Sequence, residues 1–352
     1  MSRPRQQHYV TRAYLEGFVS PNEKHLHVYT RGNAGSFKAL PENVAKIHNY
    51  YSAKKEDGTY EDRLEHLLQT HIEDPGLAVI KRLIAGHYNI SRDARLRLSV
   101  LLAIQEYRVP WMREQMGILM QGMMERHMGA AVKAPGVLES LLKEHALADE
   151  DDVGRMAAEM RRGLQEGEIK LSATPTASLH AMAYALDILP NIYFSMGWEV
   201  LETRSIPFIT SDCPVYRYYV PVRRDLPHCG LMDKRVQIRF PLCQTKLLVV
   251  RHDRKRLEMI DALRARRGER AAPKAANRAS EIRHVRISAT DVAIINADTA
   301  SMASKFVFSP VALTNAAELL KGECQNVRQE LIDHPDGSTE FRTVYPQLNR
   351  MR

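Results

Sequence analysis

Five polar side chains stand where the surrounding pattern is apolar, and together they have the types that an acid–base site needs. Leu98 and Leu101 mark the inner line of a helix. Gln105 and Arg108 continue that line at four- and three-residue spacing, so all four share one face. A polar pair on a buried face must find partners or lose stability. It either lines a cleft or belongs to a hydrogen-bond network that holds a neighbouring loop. Asp212 follows the apolar run 206–210, in Thr210-Ser211-Asp212-Cys213-Pro214. A carboxylate just past a buried strand is rigidly placed for catalysis, and Asp-x-Pro is equally an ordinary turn former. His8 precedes a short helix whose free N–H groups collect anions, with Arg12 and Tyr14 close behind. Such a His–Tyr–Arg trio can do acid–base work on a phosphate or a carbonyl, or can simply pack and seal the N-terminus.

A second chemistry is written in charge alone. The chain has 352 residues and a formal charge of +8. Residues 251–286 hold twelve Lys or Arg against five acids, so this segment carries seven of the eight net charges. Such a local excess attracts polyanions, and phosphate contacts dominate nucleic-acid affinity. Arg254, Lys255, Arg256, Arg264, Arg266, Arg267 and Arg270 are the residues expected to touch DNA or RNA. Arginine suits bidentate phosphate contact, and the lack of any aromatic residue in the segment favours backbone contact over base stacking. A solvated helix with an exposed loop is the plain alternative.

Other groupings point less far. His25 and His27 alternate on a strand, with His48 or His66 as candidates to complete a metal site, but no clear carboxylate completes the set. No metal site is expected, and Asp62 and His66 read as a solvated helix face. Met112, Met116, Met120, Met123, Met124 and Met128 recur near helical period, which suits a packing seam before an adaptable groove. The phosphate-loop, dinucleotide, nucleophile-elbow and zincin motifs are all missing.

The elements that must carry these residues follow from periodicity. Val10, Tyr14, Leu15 and Phe18 predict a short helix, and Leu26–Thr30 a strand. Residues 60–85 are helical, and Pro75 within them predicts two helices or a kink. Ser91 should cap a helix running to about Val109, and Pro110 should bend or break it before a second run to about Met128. Residues 149–165 and 177–195 predict further helices. Strand chemistry then takes over at 198–204, 207–210, 236–242 and 246–250, followed by a helix over 291–305 and a strand over 306–309. The fold class is α+β: a helical middle block, about 60–196, between an N-terminal strand and short-helix region and a C-terminal mixed or antiparallel sheet, about 197–309. The tail 311–352 reads as peripheral. No apolar run is long enough to cross a membrane and no secretory leader is present. Cys213, Cys229, Cys243 and Cys324 have no C-x-x-C spacing, which fits a reducing cytoplasm.

The order of these pieces resembles a bacterial family, domain of unknown function 4238. The opening Gln7-His8-Tyr9-Val10-Thr11-Arg12-Ala13-Tyr14-Leu15 through Phe18 is similar to its H-Y-V-P, Y-L, F start. His27-Val28-Tyr29, Tyr51, Gln105 with Arg108, Thr210-Ser211-Asp212-Cys213-Pro214, Phe240-Pro241-Leu242, and Asn296 with Ala303–Ser309 match later family features in order. Thr11 departs from the usual Pro, and Cys213 from a frequent Asn. The resemblance covers residues 6–310 as one domain and marks the same His8, Tyr14, Gln105, Arg108 and Asp212. The family name records no function. Converging in one pocket, these residues could cleave a phosphodiester: Arg108 and Gln105 on the phosphate, His8 or Asp212 as base, Tyr14 positioning. The expectation is a nuclease-like hydrolase of nucleic acid or nucleotide, in bacterial defence or mobile elements, with Mg²⁺ or Mn²⁺ as the cations to test. The alternative is a non-catalytic nucleic-acid-binding or adaptor protein whose polar cluster is structural. A small-molecule enzyme with an anionic substrate is a third reading.

Overall fold

The computed structural model describes residues 6–33, 35–51, 53–54, 60–61, 63–145, 152–166, 168–169, 177–220, 230–252, 282–333, 339–344 and 346. The class is α+β, with a helical middle and C-terminal sheets, as periodicity predicts. The chain divides into two compact units. One comprises residues 1–112, 182–327 and 345–352, and the other residues 113–181 and 328–344.

In the first unit the chain begins with β1 (Gln6–His8), α1 (Arg12–Leu15) and a 3₁₀ turn at Glu16–Phe18. β2 (Leu26–Thr30), β3 (Ser36–Ala39) and β4 (Lys46–His48) follow, and β1 pairs antiparallel with β4. After a short hairpin, β5 (Ala53–Lys54) with β6 (Tyr60–Glu61), come α2 (Arg63–Leu68), a π-helical turn (Gln69–Glu73) and α3 (Asp74–Ile84). The two helices expected around Pro75 are present as α2 and α3, and the π turn that separates them ends just before Pro75, where the ring removes one donor from the continuing helical run. α4 spans Arg92–Tyr107, and the Ser91 hydroxyl accepts from Ala94 N at 3.1 Å, the expected cap. Arg95, in its first turn, donates to the Phe194 and Met196 carbonyls and lies over the Trp198 ring, closing the end of the 177–195 helix.

The second unit holds most of α5 (Pro110–Lys133), together with α6 (Val137–Glu144) and α7 (Val153–Gln165). The break expected at Pro110 is present: α4 ends at Tyr107 and Pro110 opens α5. Leu138, Leu142, Val153 and Ala157 form a small core with Met128 against it, so part of the methionine stripe is a packing seam. Met123 is exposed. Residues 146–151, where the acidic start of the 149–165 helix was expected, lie outside the described residues. α8 (Ala177–Ser195) then leads back into the first unit.

Two sheets complete the first unit. β7 (Gly197–Glu202), β8 (Thr210–Ser211), β9 (Tyr216–Tyr219), β10 (Val236–Cys243), β11 (Lys246–Arg251), β12 (Arg283–Arg286), α9 (Ala289–Met302) and β13 (Phe306–Ser309) follow in order. The larger sheet runs β12-β7-β11-β10-β9, and only its β12–β7 pair is parallel. The smaller, β3-β2-β13-β8, is antiparallel throughout. α9 is buried against both. Val292 and Ile295 pack on Phe208, Leu247 and Val249, while Ala300 and Ala303 pack on Tyr29, Ile209 and Val307. One face of the helix makes both contacts while Ile294 on the opposite face is exposed, and the small Ala300 and Ala303 permit the close approach. Ser288 and Asp291 form a full capping box at its start. Beyond it lie α10 (Ala316–Leu319) and a buried stretch, Cys324–Val327. β14 (Arg328–Asp333) and β15 (Thr339–Val344) then pair as a hairpin in the second unit.

Candidate functional site

The five candidate residues do not meet in one pocket. Tyr14 lies in α1, buried, with its ring stacked on Phe240 at 5.0 Å between centroids. Its hydroxyl donates to the Pro241 carbonyl at 2.8 Å and shares a 2.7 Å bond with Thr210 Oγ1. It ties α1 to β8 and β10. Burial drives its pKa well above the ordinary range, so it stays a neutral phenol.

Asp212 follows β8 directly. Its Oδ1 accepts from Ser304 N at 2.9 Å and its Oδ2 from Lys305 N at 2.7 Å. These are the residues that link α9 to β13. Arg31 holds the same junction from the other side, donating to the carbonyls of Ala300, Ser301, Ala303, Leu320 and Gly322. The first three are carbonyls at the end of α9, which a helix leaves without intrahelical partners. Burial pushes the Asp212 carboxyl up to about 6, against the downward pull of the backbone N–H bonds and of Arg31.

Gln105 and Arg108 are buried, as their place on the Leu98–Leu101 line implies. Gln105 Nε2 donates to the Tyr9 carbonyl at 2.9 Å, and Gln105 Oε1 accepts from Arg108 Nε at 3.1 Å and from Nη2 at 2.5 Å. Arg108 Nη1 pairs with Glu73 Oε1. The guanidinium is fully enclosed, with a side-chain exposure of 0%. Glu73, Tyr51 and Tyr50 raise its pKa against the burial that would lower it, so it remains charged. Its backbone is held too, since Tyr50 Oη donates to the Arg108 carbonyl at 2.7 Å. The end of α4 therefore clamps two segments, the strand into Tyr9 and the π turn that carries Glu73.

His8 stands apart from these four. It lines a cleft of about 400 Å³ in the first unit, together with Thr11, Arg12, Tyr51, Glu65, Gln69, Glu73 and Asp74 over an apolar wall of Ala13, Leu68 and Leu77. Tyr14, Gln105, Arg108 and Asp212 do not line it. Burial and the nearby Lys46 lower the His8 pKa, so its ring is neutral at pH 7. The ring bonds the Glu42 backbone, while its Nε2 is buried with no partner among the described residues. Gln7, one residue back on β1, is fully buried; it donates to Glu65 Oε2 at 2.9 Å and accepts from Tyr51 N at 2.6 Å.

Glu73 and Glu65 are the site residues that sequence reasoning passes over, and Gln7 and Tyr51 enter it only through the family resemblance. Glu73 is hidden by the π turn. One extra residue in that turn shifts the helical register, so a regular α pattern through Leu64, Leu68 and Ile72 does not announce a buried carboxylate at 73. The polar triplet Gln6-Gln7-His8 before an apolar helix is the signal that could have flagged Gln7.

The surplus positive charge lies largely beyond view. Arg254, Lys255, Arg256, Arg264, Arg266, Arg267 and Arg270 are outside the described residues. At the edges of the segment, Arg251 and Arg283 both pair with Glu199, at 2.9 and 3.5 Å. Among the described residues no group of three or more His, Cys, Asp or Glu is placed to hold a metal ion, and no helix is long and apolar enough to cross a membrane.

A family profile described as "Protein of unknown function (DUF4238)" matches residues 6–310. The chain belongs to this family. The matched span takes in all five candidate residues, the cleft and both sheets of the first unit. No curated protein and no solved structure matches the chain.

Proposed function

We propose that the protein is a non-catalytic nucleic-acid-binding protein in which the polar cluster is structural and the basic segment 251–286 makes the contact. The observation that supports this most is the state of Tyr14, Gln105, Arg108 and Asp212. All four are buried and hydrogen-bonded within the protein, and none lines the cleft. A phosphate has no route to an enclosed Arg108 without breaking its pairing to Glu73. The cleft itself carries four carboxylates, Glu16, Glu65, Glu73 and Asp74, against one guanidinium, Arg12. That balance repels a phosphodiester. The attraction for a polyanion comes instead from the basic segment, which holds seven of the eight net charges.

The test is fluorescence anisotropy with labelled duplex DNA and single-stranded RNA over a range of KCl. Changing Arg264, Arg266, Arg267 and Arg270 to Ala should weaken binding and flatten the salt dependence. The slope of log K against log salt should fall in magnitude by about 3.6 if four phosphate contacts to duplex DNA are lost. Unchanged affinity and slope would sink the proposal. Cleavage of the labelled strands with Mg²⁺ or Mn²⁺ present, lost in His8→Ala, would overturn its non-catalytic part.

A further inference from the structure

We propose that the open edge of the larger sheet, strand β12 with Tyr88 beside it, receives a base and the neighbouring phosphates of a single-stranded nucleic acid. The proposal rests on the nucleic-acid reading above and names its substrate class. The basic segment 251–286 holds no Phe, Trp or Tyr, so alone it offers only phosphate contact. The fold supplies what it lacks. β12 is the end of that segment and the outermost strand of its sheet. Tyr88, from the link between α3 and α4, lies almost flat against the His284 ring, with centroids 4.6 Å apart and planes 17° from parallel. The pair is held in place. The Tyr88 carbonyl accepts from Ile282 N at 3.3 Å, and His284 Nε2 lies 2.6 Å from Glu202 Oε2. The Lys246 ammonium stands 5.2 Å from the centre of the Tyr88 ring and caps the carbonyls of Leu83 and Ile84. His284 keeps 29% of its side chain exposed, so a third ring can join the stack from solvent.

The charge at this edge suits phosphate. β11 and β12 carry no acid, and β7 carries Glu199 and Glu202, each already faced by cations. Arg251 and Arg283 pair with Glu199, while His284 and Arg204 pair with Glu202. Arg286 stands across from Glu202 in the β12–β7 register. The Arg204 and Arg283 side chains are nevertheless 70% and 71% exposed, and Arg286 is exposed too. A guanidinium has five donors, so one ion pair leaves others for a phosphate. Side chains alternate along a strand, so His284 and Arg286 share a face about 7 Å apart. A base on His284 therefore has a cation beside its own backbone. The ring pair decides which nucleic acid fits. In a duplex the bases are already stacked and offer no free face, whereas a single strand does. An acidic peptide strand meets the arginines but leaves the rings without a partner.

The experiment is fluorescence anisotropy of the full chain with a short labelled single strand, the same strand carrying abasic sites, and a duplex of the same sequence, over a range of KCl. The intact strand is expected to bind about fivefold or more tighter than the abasic strand, the factor that stacking one base on an aromatic ring supplies. His284→Gln keeps a donor for Glu202 and removes the ring. It should weaken the intact strand by that factor and leave the abasic strand and the duplex unchanged. His284→Phe returns a ring and should restore the preference for the intact strand. Arg204→Ala made with Arg286→Ala should lower the magnitude of the single-strand salt slope by about 1.4, two contacts at about 0.7 each. Melting curves check that each variant is folded. The four-arginine variant of the basic segment should lose affinity overall but keep the ratio of intact to abasic binding, which separates the edge from the rest of the segment. Equal binding of intact and abasic strands by the parent, full intact-strand affinity in folded His284→Gln, or a salt slope unmoved by the arginine pair overturns the proposal and leaves the nucleic-acid reading standing. Displacement of the strand by poly-glutamate of equal charge marks the edge as a protein-docking surface and overturns it too. A parent that binds no nucleic acid overturns both.

Discussion

Replacing Asp212 by Asn tests whether this carboxylate is a structural latch with a measurable electrostatic cost. The carboxyl is buried and its pKa stands at about 6, against an ordinary 3.8 in the unfolded chain. The native state therefore holds more protons than the unfolded state between these two values. Stability from this group is fully present below pH 3.8 and is lost as pH rises through 6. A displacement of that size corresponds to about 3 kcal/mol lost over the window. Asn is neutral at every pH and has the same shape, so Asp212→Asn should remove this slope. It keeps one acceptor for Ser304 N or Lys305 N but sets an amide N–H₂ against the other, at a cost of about 1–3 kcal/mol. The two effects oppose. At pH 7.5 the variant should equal the parent or exceed it by up to about 2 kcal/mol, and near pH 4.5, where only about 1 kcal/mol of the group's contribution is lost, the parent should gain about 2 kcal/mol relative to the variant. Urea unfolding of both proteins at several pH values between 4.5 and 7.5 reads the difference directly, because every other titrating group cancels. Parallel stability curves would refute the reasoning and mean that Asp212 ionises in the protein as it does in the unfolded chain. Nucleic-acid affinity at pH 7.5 should be the same in both, since the carboxylate touches only the α9–β13 link.

Two further substitutions test the packing. Arg108→Met should cost about 3 kcal/mol in urea unfolding, because Glu73 is left nearly buried without its counter-charge, and adding Glu73→Gln should recover part of that loss. Gly76 lies in α3, where a Cβ would fall 2.6 Å from Leu101 Cδ2 and 2.7 Å from its Cβ. Gly76→Ala should therefore lower the melting temperature through overpacking of about 1–3 kcal/mol, despite the helix propensity gained. Gly117→Ala on α5, where nothing lies within 4 Å of the added Cβ, should leave the melting temperature unchanged or raise it.

Local patterns in the chain determine most of its elements. Ser91 caps α4 because its hydroxyl reaches a donor three residues on, and Leu98, Leu101, Gln105 and Arg108 share a buried face because a helix returns every three to four residues. The runs that became β2, β10, β11 and β13 are apolar and β-branched enough to announce themselves, and charge counting finds the basic segment without any structure. Spacing tells which face a side chain occupies, but not what stands opposite. Gln105 meets a carbonyl 96 residues away, Arg108 a carboxylate 35 residues away, and Asp212 two amides 92 and 93 residues away. Those partners decide between a reactive cleft and a closed network, and only the tertiary structure brings them together. The π turn adds a reason of its own. It moves Glu73 out of the regular helical count and into the interior, so the carboxylate that joins the buried cluster to the cleft beside His8 is invisible to any reading that assumes one period.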